Sequence, residues 1–161
     1  MKSKGKGRQE EFERKFRGLI ERFRPALVQE LRTLVATQPP PEVKILSFVI
    51  FSYWDQFPVR VFAMDDQSPD EVYFEPPFSA GVLEGAGELI PRGAIDQNAY
   101  EDAGVFTLET GARVLAEWVG ECWHEAGGDE FALPAYIGHH DRSAQYDLRL
   151  KAWVDESDIW E

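Results

Sequence analysis

Residues 42–53, EVKILSFVIFSY, place apolar side chains on both alternating faces of an extended chain. A strand of β-branched and aromatic residues with two apolar faces has to be covered on both sides, so it belongs in the middle of a sheet. Residues 57–64 supply an antiparallel neighbour. Val59, Val61 and Ala63 fall on one face and Arg60, Phe62 and Met64 on the other, while Pro58 suits only the start or edge of that strand. Residues 71–75, EVYFE, predict a third short strand.

The cover comes from two helical patterns. Between residues 9 and 37 the apolar positions Phe12, Phe16, Leu19, Ile20, Phe23, Leu27, Leu31, Leu34 and Val35 recur every three or four residues, which buries one stripe of a helix. Pro25 either kinks this helix or starts a second one, where its missing N–H costs little, and Pro39, Pro40 and Pro41 end the pattern. Residues 107–126 predict a second helix, with Thr107 as a cap, Leu108, Ala112, Leu115, Val119, Trp123 and Ala126 as its buried stripe, and Gly127 and Gly128 as a left-handed stop.

Residues 131–139 and 145–154 complete the sheet. In the latter, Tyr146, Leu148, Leu150, Ala152 and Val154 alternate with polar positions over the whole length, and Asp141, Arg142 and Ser143 join the two strands as a hairpin. Residues 76–106, rich in Gly and Pro, read as loop with a short helical turn. The expected fold is therefore α+β: an antiparallel sheet of four to six strands packed against the helix at about 107–126, with an N-terminal helix at about 9–37. Residues 1–8 form a flexible basic arm and residues 9–161 a single domain.

Charge narrows the function. Residues 1–24 carry nine basic and four acidic side chains, a net +5 within a chain of net charge −12, so the rest carries −17. A surface that acidic repels a phosphate backbone, which excludes nucleic acid as a partner of the main domain. Between Asp65 and Asp102 ten acids face one base, Arg92, and this stretch predicts attraction to a basic protein. Asp65, Asp66, Asp70 and Glu71 form one candidate contact cluster and Glu84 and Glu88 another, with Tyr73, Phe74 and Phe78 as apolar anchors between them. No run reaches the roughly 18 apolar residues that span a bilayer, and one Cys makes no disulfide framework, so a cytoplasmic protein is expected.

Motifs that carry chemistry are sparse. Cys122 and His124 sit two residues apart on the predicted helix, project about 200° from each other and do not converge. His139 and Asp141 share a face if the segment stays extended, with His140 pointing away. They are the candidate ligands of an alternative metal-assisted hydrolase, and His124 belongs at the opposite end of the domain. The run from Asp65 to Glu71 lacks the glycine and the bidentate glutamate of an EF-hand loop. Phosphate loops, dinucleotide fingerprints and nucleophile elbows are absent from the sequence, no cofactor is expected, and the chain reads as a non-enzymatic binding protein or a structural assembly subunit.

The order of elements resembles that of small acidic bacterial immunity proteins. It has an N-terminal helix, the hairpin VKILSFVIFSYWDQFPVRVFAM, an acidic Gly/Pro-rich middle, a helix ending in CWHEAGG, and the closing pair HHDRSAQYDLRLKAWV. The resemblance implies a protein that neutralises a basic toxin by covering its active site, and it transfers no residue roles.

Overall fold

A computed structural model describes residues 2–51, 57–65, 89–91 and 93–159. The chain forms α1 (Lys2–Glu21), α2 (Arg24–Ala36), β1 (Ile45–Ile50), β2 (Val59–Met64), α3 (Gln97–Asp102), α4 (Thr107–Glu125), β3 (Ala135–His139), β4 (Ala144–Asp147) and β5 (Ala152–Asp155). The fold is α+β, with the N-terminal helices and the long α4 packed together against one sheet. Pro25 stands in the first turn of α2, so the periodic stretch splits into two helices there. Helix α1 begins at Lys2 and includes most of the segment that the sequence sets apart as a basic arm.

The five strands run in the order β2-β1-β3-β4-β5. β1 pairs antiparallel with β2 and parallel with β3, which makes the sheet mixed rather than purely antiparallel as expected. Leu46, Phe48 and Ile50 sit opposite Ala63, Val61 and Val59, and all six are buried against the helices. On the reverse face Ser47, Val49 and Tyr136 are half-buried beside a cavity of about 250 Å³. Leu89, Ile90, Ile95, Tyr100 and Val105 close one end of the core, so part of the stretch expected as loop is apolar filling.

Two expectations need correction. Residues 145–154 are not one strand but the β4–β5 hairpin. Asp147 accepts hydrogen bonds from the backbone N–H groups of Arg149 (2.9 Å) and Leu150 (3.0 Å), and Lys151 adopts a left-handed φ of 56°. The chain reverses at Asp147 because its side chain offers the backbone a turn in place of ladder bonds. Leu148 is consequently buried and Leu150 exposed, although the pattern puts them on one face. Residues 131–134 also lie outside β3, following a 3-10 turn at Gly128–Glu130.

α4 is buried over most of its circumference, from Thr110 and Gly111 through Trp118, Val119, Cys122 and Trp123. Thr107 is not its cap. The N-cap is Phe106, and the Thr107 hydroxyl donates to Glu101 at 2.7 Å. Gly127, at φ 90°, provides the left-handed stop, and Gly128 lies so close to Trp123 that a Cβ there would fall 2.2 Å from the indole ring.

An ion network ties α1 and α2 to α4. Arg24 donates to both oxygens of Glu21 (2.9 and 2.6 Å) and reaches Glu121 (3.1 Å) and Glu125 (3.2 Å), while the buried Trp118 indole N–H donates to Glu21 at 3.0 Å. The forked hydrogen bond from Arg24 pulls the Glu21 carboxyl down from 4.5 to about 2, against the opposing effect of burial. A depressed carboxyl stabilises the fold above its unfolded pKa and loses that contribution as pH falls through the folded value. If fully shielded from water, a shift of this size would be worth about 3 kcal/mol. The Glu21 side chain is 36% exposed, so screening reduces the contribution to about 1 kcal/mol. Chemical unfolding between pH 5 and pH 2 should therefore show about 1 kcal/mol more acid loss for the wild type than for Glu21→Gln. Parallel pH profiles would remove the network as an acid-sensitive tie.

Candidate functional site

The site lies where the end of β3 meets the first turns of α4. β3 closes at His139, and the chain turns at once: the N–H of Arg142 donates to the His139 carbonyl at 3.0 Å, and the N–H of Asp141 donates to His139 Nδ1 at 3.1 Å. An amide N–H can only donate, so Nδ1 of His139 is the acceptor and the neutral ring carries its proton on Nε2. Burial, reinforced by the charge of His140, holds the His139 imidazole below its usual range, which favours that neutral form.

The turn also changes the role of His140. In an extended segment its side chain would point away from His139 and Asp141, but the two imidazole centroids stand 4.5 Å apart. His140 stacks on Phe51 at 5.2 Å, and its Nδ1 lies 3.3 Å from the carbonyl oxygen of Ile50. A carbonyl only accepts, so Nδ1 donates there, and Nε2 lies 3.3 Å from Asp141 Oδ2. The Asp141 side chain is 73% exposed.

Beside this cluster opens a cavity of about 370 Å³. Leu108, Glu109 and Arg113 of α4 form one wall, His139, Asp141 and Arg142 a second, and Trp153 of β5 a third. Leu108 is therefore not part of the buried stripe: it is 42% exposed, and Trp153 is 41% exposed. The charges are balanced, with Arg142 facing Glu109 at 3.9 Å and Arg113 paired to Glu13 and Glu117.

The expected contact clusters are only partly placed. Asp65 follows β2 and is half-buried; Asp66, Asp70, Glu71, Tyr73, Phe74, Phe78, Glu84 and Glu88 lie outside the described residues, as does the strand expected at 71–75. Two acids of the same stretch serve the fold: Asp96 caps α3 by accepting from the Ala99 N–H at 3.1 Å, and Glu101 holds Thr107. Donor atoms of His139, His140 and Asp141 lie within 4.8 Å of one another through a turn, whereas the expected shared face of His139 and Asp141 belonged to an extended segment. Cys122 is fully buried, with its thiol pushed up to about 12 by desolvation, so it is no nucleophile. His124 pairs with Asp129 at the other end of α4, apart from the cavity.

The chain matches no protein-family model, no curated protein and no solved structure. The site therefore has to be read from its own chemistry. Arg142 and Trp153, which the sequence does not mark as site residues, and His140, which an extended segment would point away, adjoin it. Adjacency to the turn residues Asp141 and Ser143 was the available signal for His140 and Arg142, whereas Trp153 is exposed only because the hairpin interrupts the alternation. Among the described residues no helix is long and apolar enough to cross a membrane.

Proposed function

We propose that this protein is a non-enzymatic binding domain for a protein partner with a basic surface. The observation that carries the reading is the pair Leu108 and Trp153. Two large apolar side chains stand more than 40% exposed in the lining of one cavity. Aromatic and aliphatic groups that line a concave surface are favoured as interface anchors. The −17 carried by residues 25–161 supplies the complementary charge, which raises the encounter rate with a basic partner. His139 adds no general base to this picture, because its Nδ1 lone pair is taken by the Asp141 amide. The immunity-type role, covering the active site of a basic toxin, is the particular form that the order of elements suggests.

The test is affinity capture with the wild type and with Leu108→Asp/Trp153→Ala, their folds compared by near-UV circular dichroism. A basic protein should be held by the wild type and bound at least about tenfold more weakly by the double variant, as expected when interface anchors are removed. Equal binding by both would remove this cavity from the interface. Failure to hold any basic protein would remove the reading itself.

A further inference from the structure

We propose that His139, His140 and Asp141 form a binding site for a divalent transition-metal ion of the zinc class, at the turn between the cavity beside α4 and β5 and the cavity on the reverse face of the sheet. This inference is independent of the partner reading. Donor atoms of the three side chains all lie within 4.8 Å of one another. His140 Nε2 and Asp141 Oδ2 are 3.3 Å apart, the spacing of two donors held about 2.0–2.1 Å from one ion in a tetrahedral arrangement.

The His140 ring is oriented as a ligand should be. Its Nδ1–H faces the Ile50 carbonyl and its plane rests on Phe51, so the ring is held with Nε2 toward Asp141, and an ion bound there would take the place of the Nε2–carboxylate contact. A hydrogen bond from the second ring nitrogen is the usual support of a metal-binding imidazole. The turn itself is closed by the bonds from Arg142 N–H and Asp141 N–H to His139, and neither His140 Nε2 nor the Asp141 carboxylate takes part in those two bonds.

His139 completes the set. Its bond from the Asp141 amide has to yield, or its ring to turn, for a nitrogen to reach the ion, and the exposed Asp141 side chain can rotate to close the remaining gap. Two imidazoles and one carboxylate suit zinc, cobalt, nickel or copper rather than magnesium or calcium, which prefer all-oxygen ligands. His139 and Asp141 line the cavity that also holds Leu108 and Trp153, whereas His140 lines the smaller cavity on the reverse face of the sheet, and three ligands from adjacent positions leave further coordination positions to water.

The full chain, free of any affinity tag and stripped of metal, is titrated calorimetrically with Zn²⁺, and the Co²⁺ form is examined by visible absorption. One equivalent should bind, with the intense bands of a tetrahedral cobalt site. His140→Ala and Asp141→Asn should each weaken binding at least about tenfold, no less than the loss of a supporting hydrogen bond costs a metal site at its lower limit. His124→Ala, which removes the other His–carboxylate pair, should change nothing. Absence of a stoichiometric ion, unaltered affinity in Asp141→Asn, or loss confined to His124→Ala would each overturn the site. Asp141→Asn alters a mostly exposed side chain, so it decides the matter even if His140→Ala fails to fold.

Discussion

Replacing Trp123 by alanine is expected to lower the unfolding free energy by about 3–5 kcal/mol, the usual cost of emptying an aromatic site in a core. Trp123 is 1% exposed and helps to join helix and sheet: its ring meets Phe48 of β1 edge-to-face at 5.7 Å and Phe131, at the exit of α4, at 5.6 Å. Removing it takes a contact from the interior strand β1 and from the chain segment that leads into β3. Urea unfolding would show a lower midpoint with little change in slope, because the surface exposed on unfolding is nearly the same. A loss below about 1 kcal/mol would mean that the indole is not the link between sheet and helix.

Gly128→Ala should cost about 1–3 kcal/mol, through overpacking rather than backbone strain. The added Cβ would lie 2.2–2.3 Å from three atoms of the Trp123 indole, and a rigid ring wedged between Phe48 and Phe131 has little room to retreat. The same methyl group placed in Trp123→Ala enters the space that the ring has left. Its cost should then fall close to zero, giving a coupling energy of about 1–3 kcal/mol between the two positions. Additive effects would show that the Gly128 substitution acts somewhere other than on Trp123.

Local pattern was enough for elements whose neighbours agree with it. The four-residue spacing of Phe12, Phe16 and Ile20 became the buried stripe of α1, and Val59, Val61 and Ala63 face the core together. What local pattern could not reveal was pairing across the chain. The parallel alignment of β1 with β3 joins segments nearly ninety residues apart, and no feature of either strand announces its partner. The alternation from Tyr146 to Val154 continues straight through a chain reversal, because Asp147 and Lys151 turn the backbone without interrupting the hydrophobic period. The candidate site failed in the same way. His140 was assigned away from its neighbours by strand geometry, yet the strand ends one residue earlier, and the turn brings both rings to one side.

The parallel pairing of β1 and β3 sets a timetable for biosynthesis. A ribosome adding about 5–20 residues per second takes about 4–18 s to travel from Ile50 to His139. Throughout that interval the edge of β1 that will receive Leu46-Ala135, Phe48-Ile137 and Ile50-His139 has no native neighbour. β1 and β2 can meet early as a hairpin, but a two-stranded ribbon with an apolar face and an open edge is marginal alone and invites pairing with other chains. Native closure has to await α4, which supplies the helical cover for that face, and then β3. Long-range pairing of this kind slows folding relative to a chain built from local contacts. A nascent chain paused before residue 135 would leave that edge and face open to other chains, so slower passage through this stretch is expected to lower the yield of folded protein.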